Sequence, residues 1–93
     1  MTNQNYRRGA NFERRVAQFY RDKGFLVIRS AGSHSPIDVV ALAKGEVHLV
    51  QCKTDGRIGT VEIAQLREIR RDTGCLVWLA YRDGKKLCLE EIK

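Results

Sequence analysis

Proline is nearly missing from this chain, and so are long apolar runs and paired cysteines. The one proline, Pro36, rules out a proline-rich linker, and no repeat or low-complexity tract divides the sequence. No apolar run approaches the ~20 residues that a membrane-spanning helix needs, so no membrane association is expected. The opening stretch, residues 1–15, has no apolar core of the signal-peptide kind. Cysteine occurs three times, at Cys52, Cys75 and Cys88, and never as a C-x-x-C pair. The odd count and the apolar neighbours predict reduced, mostly buried thiols in a cytoplasmic protein, and they argue against zinc. Acids are scarce where bases gather. Residues 1–29 hold Arg7, Arg8, Arg14, Arg15, Arg21, Lys23 and Arg29 against only Glu13 and Asp22, which is +5 of the net +6. Such a basic front fits either a polyanion partner, most often nucleic acid, or a solvated helix face.

What remains is a chain of 93 residues, 43% hydrophobic and 30% charged, read as one globular domain, residues 1–93. A core this small leaves apolar surface that a homodimer would hide. Phe12, Val16, Phe19 and Tyr20 fall at i, i+4, i+7 and i+8, so residues 5–23 read as a helix stopped by Gly24. Residues 25–30, 37–43 and 46–53 read as strands, the last two joined through Lys44-Gly45 as a hairpin. Thr60 is placed to cap a second helix, whose stripe is Ile63, Leu66 and Ile69 and whose stop is Gly74. Residues 75–81 read as a strongly apolar, central strand. The turn at residues 82–85 then leads into an alternating edge strand, 86–92. The order α-β-β-β-α-β-β predicts an α/β fold with a mixed central sheet flanked by helices. The helix between the third and fourth strands predicts a right-handed parallel crossover.

Charged residues that interrupt apolar strands carry the chemistry. Asp38 stands between Ile37 and Val39, where a carboxylate is solvated at a strand end, paired, or bound to a metal. Gln51 and Lys53 lie two apart on the partner strand and so share a face. The short hairpin brings them beside Asp38 at one end of the sheet. Glu13 lies at the edge of the helical stripe, either leaning toward Asp38 or pairing on the surface with Arg14 or an i+4 neighbour. Carboxylates with an amide oxygen suit a hard divalent cation such as Mg²⁺. A lysine beside it orients a water or neutralises charge on a phosphoryl group. With the basic surface, these features point to phosphodiester hydrolysis.

The series "RRGANFERRVAQFYRDKGFLVIRSAGS", "PIDVVA" and "QCK" resembles the PD-(D/E)XK nucleases, and among them the archaeal-type Holliday junction resolvases and their phage relatives. The similarity covers residues 7–53; beyond it stands only the expected helix-strand-strand. It implies a restriction-endonuclease-like α/β fold. Residue by residue, it implies that Glu13 and Asp38 hold the metal together with Gln51 and the backbone carbonyl of Cys52, and that Lys53 serves the nucleophilic water. Gln51 stands where the family usually has Glu or Asp, and its amide adds no negative charge. Arg14 and Arg29 would contact phosphates, Arg7 and Arg8 would grip the DNA backbone, and Ser30 and Ser33 would belong to a DNA-facing loop. His34 in that loop either touches a phosphate or is a plain loop residue. The implied activity is a Mg²⁺-dependent, structure-selective DNA endonuclease, with Mn²⁺ as a substitute. It would nick a four-way junction in pairs through a two-fold homodimer, leaving 5′-phosphate and 3′-hydroxyl ends. Two alternatives stand beside it. One is a nuclease of the same fold acting on flaps, nicks or single strands. The other is a DNA-binding module whose chemistry Gln51 has impaired. His48 reads as structural and Trp78 as core or interface. Arg67, Arg70 and Arg71 with Glu62, Glu68 and Asp72 read as a solvated helix face.

Overall fold

A computed structural model describes residues 4–30 and 35–93. The elements come in the expected order: α1 (Gln4–Asp22), β1 (Leu26–Arg29), β2 (Val39–Ala43), β3 (Glu46–Cys52), α2 (Thr60–Thr73), β4 (Leu76–Asp83) and β5 (Lys86–Ile92). They form one five-stranded sheet in the order β1-β2-β3-β4-β5. Three neighbouring pairs are antiparallel, and β3 with β4 is parallel. The parallel pair is the one whose strands are joined by a helix, since a short turn reverses the chain and a crossover restores its direction.

The two faces of the sheet follow from the period-2 alternation of its strands. On one face α1 buries Phe12, Val16 and Tyr20 against Val39, Ala41, Val50 and Ala80. On the other, Leu66 of α2 packs with Ile37, Val77, Leu79 and Ile92. Val50 and Gln51 are consecutive, so the first enters the α1 face and the second turns toward α2. Val50 is fully buried and Gln51 is 7% exposed. That alternation puts an amide under α2.

Several boundaries and roles differ from the sequence-based expectation. Thr60 does not cap α2; it is the first helical residue, and Gly59 takes the N-cap position with no side-chain cap bond. Glycine has no side-chain oxygen to offer, and its φ of −80° and ψ of 166° are the extended backbone of an N-cap. Gly74 ends α2 with φ of 70°, a left-handed conformation that suits glycine, and its N–H donates to Arg70 O at 2.9 Å. β4 runs on to Asp83, which pairs with Lys86, so the final turn is the two residues Gly84-Lys85. β4 is an interior strand, but the middle of the sheet is β3, because β5 folds back on β4 as the edge. His48 is structural, as the sequence predicts: it stacks on Trp78 at 5.7 Å, and its Nδ1 lies 3.1 Å from the Tyr20 hydroxyl. Burial pushes the Tyr20 phenol up to about 12.

Candidate active site

Asp38 lies one residue before β2 and is tied down on three sides. Its N–H donates to Val50 O at 2.9 Å, its carbonyl accepts from Ser30 N at 2.9 Å, and its Oδ2 accepts from Cys52 N at 2.8 Å. The hairpin thus brings Asp38 to the end of β3, as the spacing predicts. Desolvation raises the Asp38 pKa. The Cys52 N–H bond and the Lys53 charge oppose that rise, and the Glu13 charge adds to it. Those influences place Glu13 and Lys53 within electrostatic reach of Asp38, with opposite effects on its titration. Glu13 itself is half-buried, and its Oε2 lies 3.3 Å from Arg29 Nη2. The alternative of a surface pairing between Glu13 and Arg14 does not form. Arg14 is exposed and donates instead to Asn11 Oδ1 at 3.0 Å.

Lys53 is held by its backbone before its side chain does anything. Its N–H donates to Ala80 O at 2.9 Å, and its carbonyl accepts from Gly56 N at 2.9 Å, closing a tight turn. Gly56 has φ of 73°, and a Cβ there would stand 3.1 Å from the Tyr81 ring. Two conditions, a left-handed backbone and a packed ring, therefore call for glycine at the turn that follows the lysine. Arg82 N–H donates to Thr54 O at 3.0 Å and pins the same turn to β4.

The side chains of Lys53 and Gln51 meet a partner that the sequence reading assigned to a solvated helix face. Lys53 Nζ is 2.8 Å from Glu62 Oε2. Gln51 Nε2 donates to the same oxygen at 3.4 Å. The Lys53 hydrogen bond, first among several causes, lowers the Glu62 pKa, so its carboxylate stays ionised at neutral pH. Gln51 Oε1 is buried and has no hydrogen-bond partner among the described residues. The remaining charges of α2 match the solvated reading only in part, because Arg70 reaches Glu91 of β5 at 3.4 Å. Cys52 packs its side chain against the α1 cluster. Desolvation, then the Asp38 and Glu13 charges, drives its thiol pKa up, so it stays protonated and is no nucleophile.

Of the residues predicted to bind DNA, Arg8 is placed by the structure at a definite feature. It lines a cavity with Asn11, Phe12, Arg15, Thr54 and Arg82. Arg8 and Arg15 are seven apart and so share a helical face. Arg15 Nη2 also donates to Lys85 O at 2.7 Å, binding α1 to the β4–β5 turn. Sequence reasoning did not single out Arg15 or Arg82. The seven-residue spacing could have flagged the first, while nothing local pairs it with the second. Ser33, His34 and the side chain of Arg7 lie outside the described residues. Among the described residues, no three His, Cys, Asp or Glu side chains group as metal ligands.

A five-stranded sheet whose rim carries Asp38, Gln51 and Lys53, with a helical Glu13 in electrostatic reach, defines a PD-(D/E)XK-type α/β nuclease fold. The model of the family described as archaeal Holliday junction resolvase (Hjc) matches residues 4–91, and the chain belongs to that family. It is similar to two proteins named crossover junction endodeoxyribonuclease Hjc. That of Methanocaldococcus jannaschii is 46% identical over 52 residues, which is 56% of this chain and 38% of the relative. That of Sulfurisphaera tokodaii is 33% identical over 96 residues, covering 91% of this chain and 66% of the relative. The matches therefore span less than two thirds of either relative. The solved structure of Hjc from Archaeoglobus fulgidus, described as a Holliday junction resolvase, has the same fold. It matches with a TM-score of 0.76 and 23% identity over 91% of this chain and 73% of its own.

Proposed function

We propose that this protein is a divalent-metal-dependent DNA endonuclease that resolves four-way junctions by paired nicks, acting as a homodimer in the cytoplasm. The observation that carries the reading is the convergence of Asp38, Gln51 and Lys53 at one end of the β2–β3 hairpin in a chain of the resolvase family. The donor set fits Mg²⁺ or Mn²⁺. The buried Gln51 Oε1 is an oxygen without a partner among the described residues, and the Asp38 carboxylate at the same end of the hairpin is costly to bury alone. Asp38, Glu13, Gln51 Oε1 and the Cys52 carbonyl would hold the ion. When bound, it would supply Lewis-acid polarisation of a phosphoryl oxygen and acidify a water. The chain's own part is positional. The Cys52 N–H fixes the Asp38 carboxylate, the β4 ladder fixes the Lys53 backbone, and Lys53 Nζ offers positive charge to a phosphate at the rim. The cavity lined by Arg8, Arg15 and Arg82 opens beside Thr54, the residue after Lys53, and suits a neighbouring backbone phosphate.

The dimer is supported by an uncovered apolar face. α2 packs on β4 and β5, while among the described residues no helix covers the β1 end of that side. Leu26 is 65% exposed and Ile28 is 52% exposed on β1. They sit opposite Leu42 and Val40 and extend the same face. The test is a synthetic four-way junction incubated with Mg²⁺ beside duplex and flap controls. Symmetric paired cuts with 5′-phosphate ends on the junction alone are expected. Equal cutting of the flap would assign a broader structure-selective nuclease. Tight junction binding without cleavage in Mg²⁺ or Mn²⁺ would leave a binding module in which Gln51 has removed the chemistry.

A further inference from the structure

Gln51 poses an orientation problem that an acid in its place would not. A carboxylate presents equivalent oxygens to a cation. An amide has one useful end, its oxygen, and one repelling end, its NH₂. The side chain is 7% exposed and cannot let water settle the question. What faces it from α2 is Glu62, whose Oε2 lies 3.4 Å from Gln51 Nε2 and 2.8 Å from Lys53 Nζ. A carboxylate only accepts hydrogen bonds, so it selects the NH₂ end and leaves Oε1 facing away. Oε1 is the buried oxygen with no partner among the described residues.

We propose that Glu62 is the positioning residue of this site. It turns the Gln51 amide so that its oxygen is the end offered to the cation, and it tethers the Lys53 ammonium while the site waits for DNA. The role rests on the reading of the site as a divalent-metal centre. It gives the chain a way to use a neutral residue where the resembled family carries an acid, by supplying a fixed acceptor from a different element. Glu62 is the third residue of α2 after the Gly59 N-cap, a position whose ordinary task is to close the helix end. Glutamine serves at that position as well as glutamate, so the helix end by itself does not call for a carboxylate.

The experiment compares Glu62→Gln with Glu62→Ala, two variants of equal charge. The glutamine variant keeps one carbonyl oxygen, which the Lys53 ammonium and the Gln51 NH₂, both donors, hold toward themselves; the alanine variant has no acceptor. Mn²⁺ binding to the full chain without DNA is measured by titration calorimetry, in the native background and again with Gln51→Glu. In the native background the Kd for Mn²⁺ is expected to be about 10-fold weaker in Glu62→Ala than in Glu62→Gln, the scale on which outer-shell partners act. With Gln51→Glu the gap should close, because no amide remains to be turned. Equal Mn²⁺ affinities of the two variants in the native background would overturn the proposal. So would a gap that persists with Gln51→Glu, which would show a helix-capping effect instead. If the parent chain itself binds no Mn²⁺, the metal reading fails first and this role falls with it. The parent titration tells the two failures apart.

Discussion

At the scale of single residues, Asp38 and Lys53 have different environments, and those environments set what each substitution should do. Desolvation raises the Asp38 pKa in the folded chain above its ordinary value of 3.8. In the window between those values the native state binds more protons than the unfolded chain, so stability falls as pH rises through it. Asp38→Asn removes that titration and keeps an oxygen for the Cys52 N–H. In metal-free protein it should flatten the loss of stability with rising pH, and with Mg²⁺ present it should abolish cleavage. Urea midpoints across that pH range, unchanged in slope from the parent, would refute the assignment. Lys53 is anchored through its backbone and contributes only its ammonium to the rim. Lys53→Ala should lower single-turnover junction cleavage by about 100-fold or more, while gel-shift binding stays near the parent's. Matching losses in both would give the lysine a role in folding or docking. Asp38, Gln51 and Lys53 were legible in the sequence because each interrupts an apolar run of residues. Glu62 was not, because an acid among Arg67, Arg70 and Arg71 looks like one more charge on a wet helix.

Elements add what residues cannot. The stripe of α1 was plain from its 3.6-residue period, and so was the polar face opposite. The period does not say which part of that face meets another element. Arg15 and Arg82 are 67 positions apart, yet they line one cavity because α1 crosses the sheet near the turn after β3. If a DNA phosphate seats there, Arg15→Ala should weaken junction binding and reduce the slope of log affinity against log salt by about 1. An unchanged slope would confine Arg15 to its bond with the Lys85 carbonyl. The cap of α2 follows the same pattern. Thr60 has the right chemistry for an N-cap, but the chain turns into the helix one residue earlier. The extended backbone that marks the cap falls on Gly59.

For the whole molecule, the decisive feature is the asymmetry of its two faces. α1 spreads across the sheet on one side, whereas α2 packs mainly on β4 and β5 on the other and, among the described residues, leaves the β1 end uncovered. Replacing Leu26 and Ile28 by lysine together should shift a dimer to monomer in sedimentation velocity and convert paired cuts into single nicks. The fold should survive, since both side chains are exposed. A dimer that persists would move the interface elsewhere. The sequence by itself determined the order of elements, the face each strand buries, and the placement of Asp38, Gln51 and Lys53 at one rim. Those follow from local periods of 2 and 3.6 residues and from one short hairpin. Only the tertiary structure decided that Glu62 closes on Lys53 and Gln51, that Arg15 and Arg82 line one cavity, and that Leu26 and Ile28 are left bare. Each depends on how helices lie across the sheet, and packing between distant segments sets that geometry without leaving a local pattern in the chain.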